Sequence, residues 1–242
     1  MKVIITSGGT EENIDAVRKI TNMSSGKLGA KIAEKLCSEN IEVIYISPKN
    51  AKKPINKENI RFVEANSAKE VESATKDILS SCKIHFFIHA MAVSDYYVQS
   101  VISLESLSEK IAMKTKSEIK DILKNTEIDL TSKKVSSSEE NMFLGLKRNP
   151  KIIDVVKKIS PEIKLIGFKL LNGCTKKELM DAAKMQMEKS HSDYVLANDL
   201  EDLKKGVHKA YLWDVYFHES VLEGKEQIAE EIKRIVQGGK IE

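Results

Sequence analysis

The stretch Ser7-Gly8-Gly9-Thr10, followed by Arg18 and then by Asn22-Met23-Ser24-Ser25-Gly26-Lys27-Leu28-Gly29, holds residue types that bind an anion through the backbone. Gly8, Gly9 and Gly26 permit positive φ and close approach of a ligand to the main chain. Ser24 and Ser25 bring hydroxyls beside the unpaired N–H groups of a helix start. Phosphate is the expected guest. The pattern is not G-x-G-x-x-G, and Tyr45-Ile46-Ser47-Pro48 stands where an acidic ribose reader would end the next strand. A dinucleotide cofactor is therefore disfavoured, and no G-x-x-x-x-G-K-[ST] loop indicates a P-loop NTPase. Two glycine turns without a ligand remain the plainer reading of this pattern taken alone.

These residues need elements to hold them. Apolar runs predict strands over Val3 to Thr6, Val43 to Ser47, Arg61 to Glu64, Ile84 to His89, Leu165 to Phe168 and Tyr194 to Ala197. Helices are expected near Lys27 to Glu39, Ala68 to Ser81, Lys151 to Lys158 and Lys176 to Glu188, the first capped by Ser24 or Ser25. Strand and helix alternating at these intervals predict right-handed crossovers and a mainly parallel sheet covered on both faces, an α/β, Rossmann-like three-layer sandwich. Ligands in such sheets gather at the carboxyl ends of the strands. The turns at Thr6 to Thr10, His89 to Asp95, Phe168 to Gly173 and Ala197 to Asp199 all lie at such ends.

Two segments break the alternation. Residues from about 98 to 131 are polar and lysine-rich and read as a flexible excursion within a single domain spanning 1–242. Lys134 to Ser137 and Met142 to Leu146 flank the turn-like Glu139-Glu140-Asn141 and predict a protruding β-hairpin at about 132–147. Its apolar arm needs a cover, either a second subunit or its own domain. Ala210 to Phe217 reads as a terminal hairpin ahead of a last helix from Gln227 to Val236.

With 242 residues, 41% apolar and 31% charged, the chain can bury one sizeable core, and a net charge of +3 is too small and dispersed to argue for nucleic acid. No apolar run approaches membrane length and no signal-peptide core follows Met1-Lys2, so a cytoplasmic location is expected. Cys37, Cys82 and Cys174 are scattered without C-x-x-C spacing, so neither a disulfide framework nor a zinc site is indicated. Cys37 falls on the inner side of the first helix. No direct metal ligands can be assigned.

Taken together, Ser7 to Thr10, Arg18 to Asn22 with Ser24-Ser25-Gly26, His89-Ala90-Met91-Ala92-Val93-Ser94-Asp95-Tyr96, Lys134 to Ser137, Gly167-Phe168-Lys169 and Ala197-Asn198-Asp199 resemble phosphopantothenate–cysteine ligase of coenzyme A biosynthesis, in its stand-alone bacterial form. The resemblance covers nearly the whole chain. It implies that 4′-phosphopantothenate is joined to L-cysteine at the expense of CTP or ATP, with Mg²⁺, through an acyl-nucleotide and with release of pyrophosphate. A carboxylate is a poor acyl donor until its oxygen joins a good leaving group, so the protein must supply alignment and charge compensation.

The resemblance also implies roles. Gly8, Gly9, Ser24, Gly26 and Gly29 match the triphosphate cradle. Asn22 matches an asparagine that contacts the reacting carbonyl, and Arg18 an arginine reaching the substrate of the neighbouring subunit in a homodimer. Met91, Ala92 and Asp95 match a segment that runs along nucleotide and substrate, where Asp95 accepts from a ribose hydroxyl or a substrate amide. His89, Ala90 and Met91, with Pro150, Lys151, Ile152 and Ile153, lie where backbone geometry selects the base, although the His89 side chain itself reads as structural. Lys134 opens the strap over the site and neutralises charge on the α-phosphate, Phe168 flanks the base, and Lys184 and Lys189 fall in the base-contacting region. Two other readings stay open. A nicotinamide-binding oxidoreductase is weakened by the missing fingerprint, whereas a non-catalytic nucleotide-binding subunit would share every binding feature.

Overall fold

The computed structural model describes residues 1–37, 39, 41–55, 59–125 and 140–241. In chain order the elements are β1 (Lys2–Gly9), β2 (Glu11–Asn13), β3 (Lys19–Thr21), α1 (Lys27–Cys37), β4 (Glu42–Ser47), β5 (Ile60–Glu64), α2 (Ala68–Ser81), β6 (Phe86–Ala92), β7 (Tyr96–Ser103), α3 (Leu104–Ile111) and α4 (Lys116–Asn125). They continue with β8 (Met142–Arg148), α5 (Ile153–Ile159), β9 (Lys164–Leu171), α6 (Lys176–Ser190), β10 (Tyr194–Asp199), α7 (Leu200–Lys204), β11 (Lys209–Asp214), β12 (Glu219–Glu223) and α8 (Gly224–Val236).

The main sheet has eight strands in the order β12-β11-β10-β9-β6-β1-β4-β5. Strands β5, β4, β1, β6, β9 and β10 run parallel, and the β11–β12 hairpin adds an antiparallel edge. The parallel strands follow the doubly wound order, whose switch point lies between β1 and β6. Alternate side chains separate the two faces. Val3, Ile5, Val43, Tyr45, Ile88 and Ile166 pack under α1 and α8, whereas Ile4, Ile44, Phe87 and Leu165 pack under α2 and α5. A third cluster joins α6 to Val195, Ala197 and Trp213. The three-layer, mainly parallel sandwich predicted from the alternation is therefore present. No described helix is long and apolar enough to cross a membrane.

Local sequence explains the helix starts. Ser67 caps α2 by accepting from the Glu70 N–H, and Thr175 with Glu178 forms a reciprocal capping box on α6. The Cys37 side chain lies inside, as its position on α1 implies.

Several expectations are corrected. Gly8 and Gly9 do not form a turn, because β1 continues through them in register with Met91 and Ala92 of β6. Gly26, rather than a serine, immediately precedes α1, and it carries the positive φ of 74°. The stretch from about 98 to 131, expected as an excursion without regular elements, carries β7, α3 and α4 as far as Asn125. Strand β7 escaped notice because its partner β8 lies far along the chain, and α3 and α4 bury no residues, which leaves no core-facing stripe to read. The strand expected at Met142 to Leu146 exists, but its described partner is β7, giving a two-stranded ribbon apart from the main sheet. Lys134 to Ser137 lie outside the described residues. The terminal hairpin is found as β11–β12, and α8 begins three residues before the expected Gln227.

Candidate active site

Past their last shared pair, His89 with Gly167, strands β6 and β9 part: β6 goes on to Ala92, while β9 goes on to Leu171 beside β10. The backbone of Ala90 to Ala92 thus keeps β1 on one side and, among the described residues, has no strand on the other. This opens a crevice at the carboxyl edge, next to the switch point, where doubly wound sheets take ligands. Ala90 and Ala92 are partly exposed, while the Met91 side chain is buried among Ile152, Val156 and Phe87. Met91 therefore borders the crevice by its backbone alone.

Thr10 ties the segments around this edge together. Its N–H donates to the Ala92 carbonyl at 3.1 Å, its hydroxyl oxygen accepts from the Ser94 N–H at 2.8 Å, and its carbonyl accepts from the Asn22 N–H at 3.4 Å. The Asn22 side-chain amide donates to the same Ala92 carbonyl at 3.3 Å. Asn22 is thus held over β6 by its donor group. Gly9 allows this approach, since a Cβ there would lie 2.0 Å from the Asn22 carbonyl oxygen.

The other glycines serve the same kind of close packing. A Cβ on Gly29 would lie 2.3 Å from the Ser7 Oγ, whose hydroxyl donates to the Gly26 carbonyl at 3.1 Å. Gly8, at φ 95°, faces Ala51 and Pro48. The loop after β4 closes on this corner: the Lys52 N–H donates to the Ser25 carbonyl at 3.0 Å, and Tyr45 Oη donates to the Lys52 carbonyl at 2.9 Å. Burial pushes the Tyr45 phenol up to about 12, so it stays a donor. The sequence reading gave these glycines to an anion. In the structure they first bring β1, α1 and the β4–β5 loop into contact, and they leave the start of α1 free of acidic side chains in its first turn.

On the other side of the crevice Asp95 forms an ion pair with Lys151, both exposed. Pro150 is exposed, Ile152 is buried, and Ile153 opens α5. His89 lies within hydrogen-bond distance of Thr6, 2.7 Å from its hydroxyl to Nδ1, and burial, assisted by Lys151, lowers its pKa to about 4. A neutral imidazole with Nδ1 accepting from Thr6 fits this environment. Because the folded pKa lies below the ordinary 6.5, the stability this gives is present above pH 6.5 and is lost as pH falls toward 4. The drop in unfolding free energy from pH 7 to pH 4 should exceed that of His89→Gln by about 2–3 kcal/mol. Equal drops in denaturant titrations would show that His89 does not titrate on unfolding.

Arg18 stands at the end of the β2–β3 turn, with its guanidinium Nε and Nη2 donating to the buried Asp15 carboxylate at 2.9 and 2.6 Å. Asp15 also accepts from the Val17 and Arg18 N–H groups, so it fixes the turn as well as the side chain. Ser24 lies partly exposed just ahead of α1. Phe168 is partly buried one residue beyond the Gly167 pair and packs on the α1–α8 side of the sheet. Lys189 pairs with Asp154 of α5 at 3.5 Å, on the side of α6 facing the crevice-lining segment. Lys184 is set apart, since its ammonium lies 4.8 Å from the centre of the Phe217 ring, toward the β11–β12 turn. The structure thus gathers Gly8, Gly9, Asn22, Ser24, Gly26, Gly29, His89, Ala90, Met91, Ala92, Asp95, Lys151, Ile152 and Ile153 along one edge, while Lys134 lies outside the described residues. A separate groove of about 920 Å³ lies between α4 and β8, lined by Lys116, Lys120, Lys124, Lys147 and Arg148 over Ile119 and Leu123.

Three polar residues at this edge escaped the sequence reading. Glu12, Asp15 and Asn149 are all buried. Glu12 sits in a three-residue strand too short to show alternation, and Asn149 reads only as the residue before a proline.

The sequence profile of the DNA/pantothenate metabolism flavoprotein C-terminal domain matches residues 1–129 and 126–238. The chain is 34% identical to the coenzyme A biosynthesis bifunctional protein CoaBC of Thermococcus kodakarensis over 200 residues, 83% of this chain and 41% of that protein. It spans about half the length, or less, of the curated relatives it matches. The crystal structure of the DNA/pantothenate metabolism flavoprotein from Streptococcus pneumoniae is similar at 35% identity, with a TM-score of 0.85 over 98% of each chain. A Cab2 variant in complex with phosphopantothenate-cysteine shares the fold at 17% identity and a TM-score of 0.68, over 98% of this chain and 85% of that one.

Proposed function

The chain belongs to the family of the DNA/pantothenate metabolism flavoprotein C-terminal domain, and on that premise we propose that it joins 4′-phosphopantothenate to L-cysteine, using CTP or ATP, in the coenzyme A pathway of the cytoplasm. The observation that carries this reading is the crevice beyond the His89–Gly167 pair, where the Asn22 amide, the Ala90 to Ala92 backbone and the Asp95–Lys151 pair meet within reach of the start of α1. The phosphopantothenate-cysteine in the Cab2 complex supports this choice of substrate class.

In this reading the triphosphate lies across Gly26 and the first turn of α1, with its base toward Phe168, residues 150–153 and Lys189. Phosphopantothenate places its carboxylate beside Asn22. The carboxylate oxygen attacks the α-phosphorus, the bond to pyrophosphate breaks, and the cysteine amine then displaces the nucleoside monophosphate. Asn22 turns its amide from the Ala92 carbonyl toward the oxyanion, a donor that does not titrate. Lys134 contributes charge at the α-phosphate. Among the described residues no group of three or more His, Cys, Asp or Glu is placed to hold a metal ion. The donor set suits Mg²⁺ carried by the triphosphate and water, and no step is assigned to it.

Pyrophosphate release that requires phosphopantothenate, together with phosphopantothenoylcysteine detected by mass on adding cysteine, tests the proposal; matched assays with CTP and ATP settle the nucleotide. Product formation rules out the non-catalytic reading. NADH binding without pyrophosphate release would favour the oxidoreductase.

We further infer a two-fold dimer in which Arg18, at the β2–β3 turn, serves the partner's site. Phe143, Leu144 and Leu146 of the ribbon are exposed and apolar, which suits a second copy. Mixing inactive Arg18→Ala and Asn22→Asp subunits should then restore about a quarter of wild-type activity, since half of random dimers are mixed and each holds one intact site. No recovery despite subunit exchange would place both residues in one subunit's site.

A further inference from the structure

The β2–β3 hairpin carries Arg18 at its turn and runs straight into Asn22, while Asp95 just precedes β7 and Lys151 follows β8, both at the base of the ribbon. Two parts of the proposed site therefore sit on different elements, and something must fix their spacing. Glu12, in the middle of β2, is buried, and its Oε1 accepts from the Ala68 N–H at 3.0 Å and from the Asn149 side-chain amide at 3.4 Å. Asn149 in turn donates through that amide to the Ser94 carbonyl at 3.0 Å and through its backbone N–H to the Asp95 carbonyl at 2.8 Å. Asn149 thus grips the loop that presents Asp95, and Glu12 grips Asn149.

We propose that Glu12 and Asn149 form a latch that sets the distance between the Arg18–Asn22 hairpin and the Asp95–Lys151 pair, and so act as positioning residues for phosphopantothenate. This rests on the ligase reading above. Two features argue against mere filling. Burial raises the Glu12 carboxyl above its ordinary value against the opposing bonds from Ala68 and Asn149, so the core tolerates this acid only with those partners in place. And from its place on the hairpin the Glu12 carboxyl reaches two other parts of the fold, the first residue of α2 and the residue that follows β8.

The test is a double-mutant cycle on the full chain. Glu12→Ala and Asn149→Ala should each lower kcat/KM for phosphopantothenate by about 10²-fold, the effect expected of a misplacement of about 1 Å. The double variant should be no worse than either single one, because both cut the same connection. Glu12→Gln, which keeps an acceptor of the same shape, should recover to within a few-fold. Losses that multiply in the double variant, or singles that lower only the melting temperature, would overturn the latch. If Glu12→Ala does not fold, Asn149→Asp, equal in size but unable to donate, should show the loss instead. Hydrogen exchange gives an answer without activity. In Asn149→Ala the Ala68 amide and the hairpin amides of Ile14 and Asn22 should exchange at least tenfold faster, and unchanged exchange there refutes the coupling even if the wild-type chain makes no product.

Discussion

Aspartate in place of Asn22 is expected to reduce turnover by about 10²- to 10³-fold, the usual cost of losing one oriented donor to a developing oxyanion. The free structure sharpens the reason. The Asn22 amide already donates to the Ala92 carbonyl at 3.3 Å, and a carboxylate there would set oxygen against oxygen. The side chain would swing away, and in the closed site it would place a negative charge beside the acyl centre. Attack by cysteine should suffer more than activation, so acyl-nucleotide should accumulate in quench-flow while the pyrophosphate burst survives. Equal slowing of both steps would mean that Asn22 serves mainly to bind the substrate.

Gly9→Ala should have a comparable effect from a residue with no side chain at all. The new Cβ would fall 2.0 Å from the Asn22 carbonyl oxygen and 3.0 Å from its carbon, both backbone atoms that no rotamer change can clear. Strand β1 is pinned at this point by its Gly9–Ala92 pair, so the Asn22 segment must move. A shift of about 1 Å at a positioning group costs about 10²-fold in rate, and the overpacking should destabilise by about 1–3 kcal/mol. For a domain of this size that lowers the melting temperature by roughly 2–4 °C per kcal/mol. Gly206→Ala is the matched control. Nothing lies within 4 Å of its Cβ position, although φ is 82°, so it should lose about 1 kcal/mol through backbone strain and keep its activity. Full activity in Gly9→Ala would show that the Asn22 segment adapts freely.

The layers of the fold were legible because apolar runs such as Val3 to Ile5 and Val43 to Ile46 are buried on both faces, which local sequence can report. What local sequence cannot report is partnership over distance. Strand β7 pairs with β8, residue against residue from Ser103 with Met142 to Tyr96 with Arg148, far along the chain, and the β2–β3 hairpin spends three residues on each side. The glycines were noticed for the right reason, conformational freedom, yet their neighbours Asn22, Ser7 and Ala51 come from elsewhere in the chain. The latch was invisible for the same cause: Glu12 and Asn149 meet across 137 residues, and neither carries a local signal.

Helix α8 bears on how the molecule is made. Its Ile228, Ala229, Ile232, Ile235 and Val236 complete the core over α1, and on the surface Glu226 ties Lys31 to Lys35, across 195 residues in the first case. During synthesis the sheet can cover one side of the apolar stripe of α1, with Ile32 and Leu36, but the side that meets α8 has no permanent cover until α8 has been translated. Closing so long a loop slows folding and leaves that stripe open to misassociation. The helix whose first turn faces the proposed nucleotide site thus gets the last side of its packing from the C-terminal end of the chain.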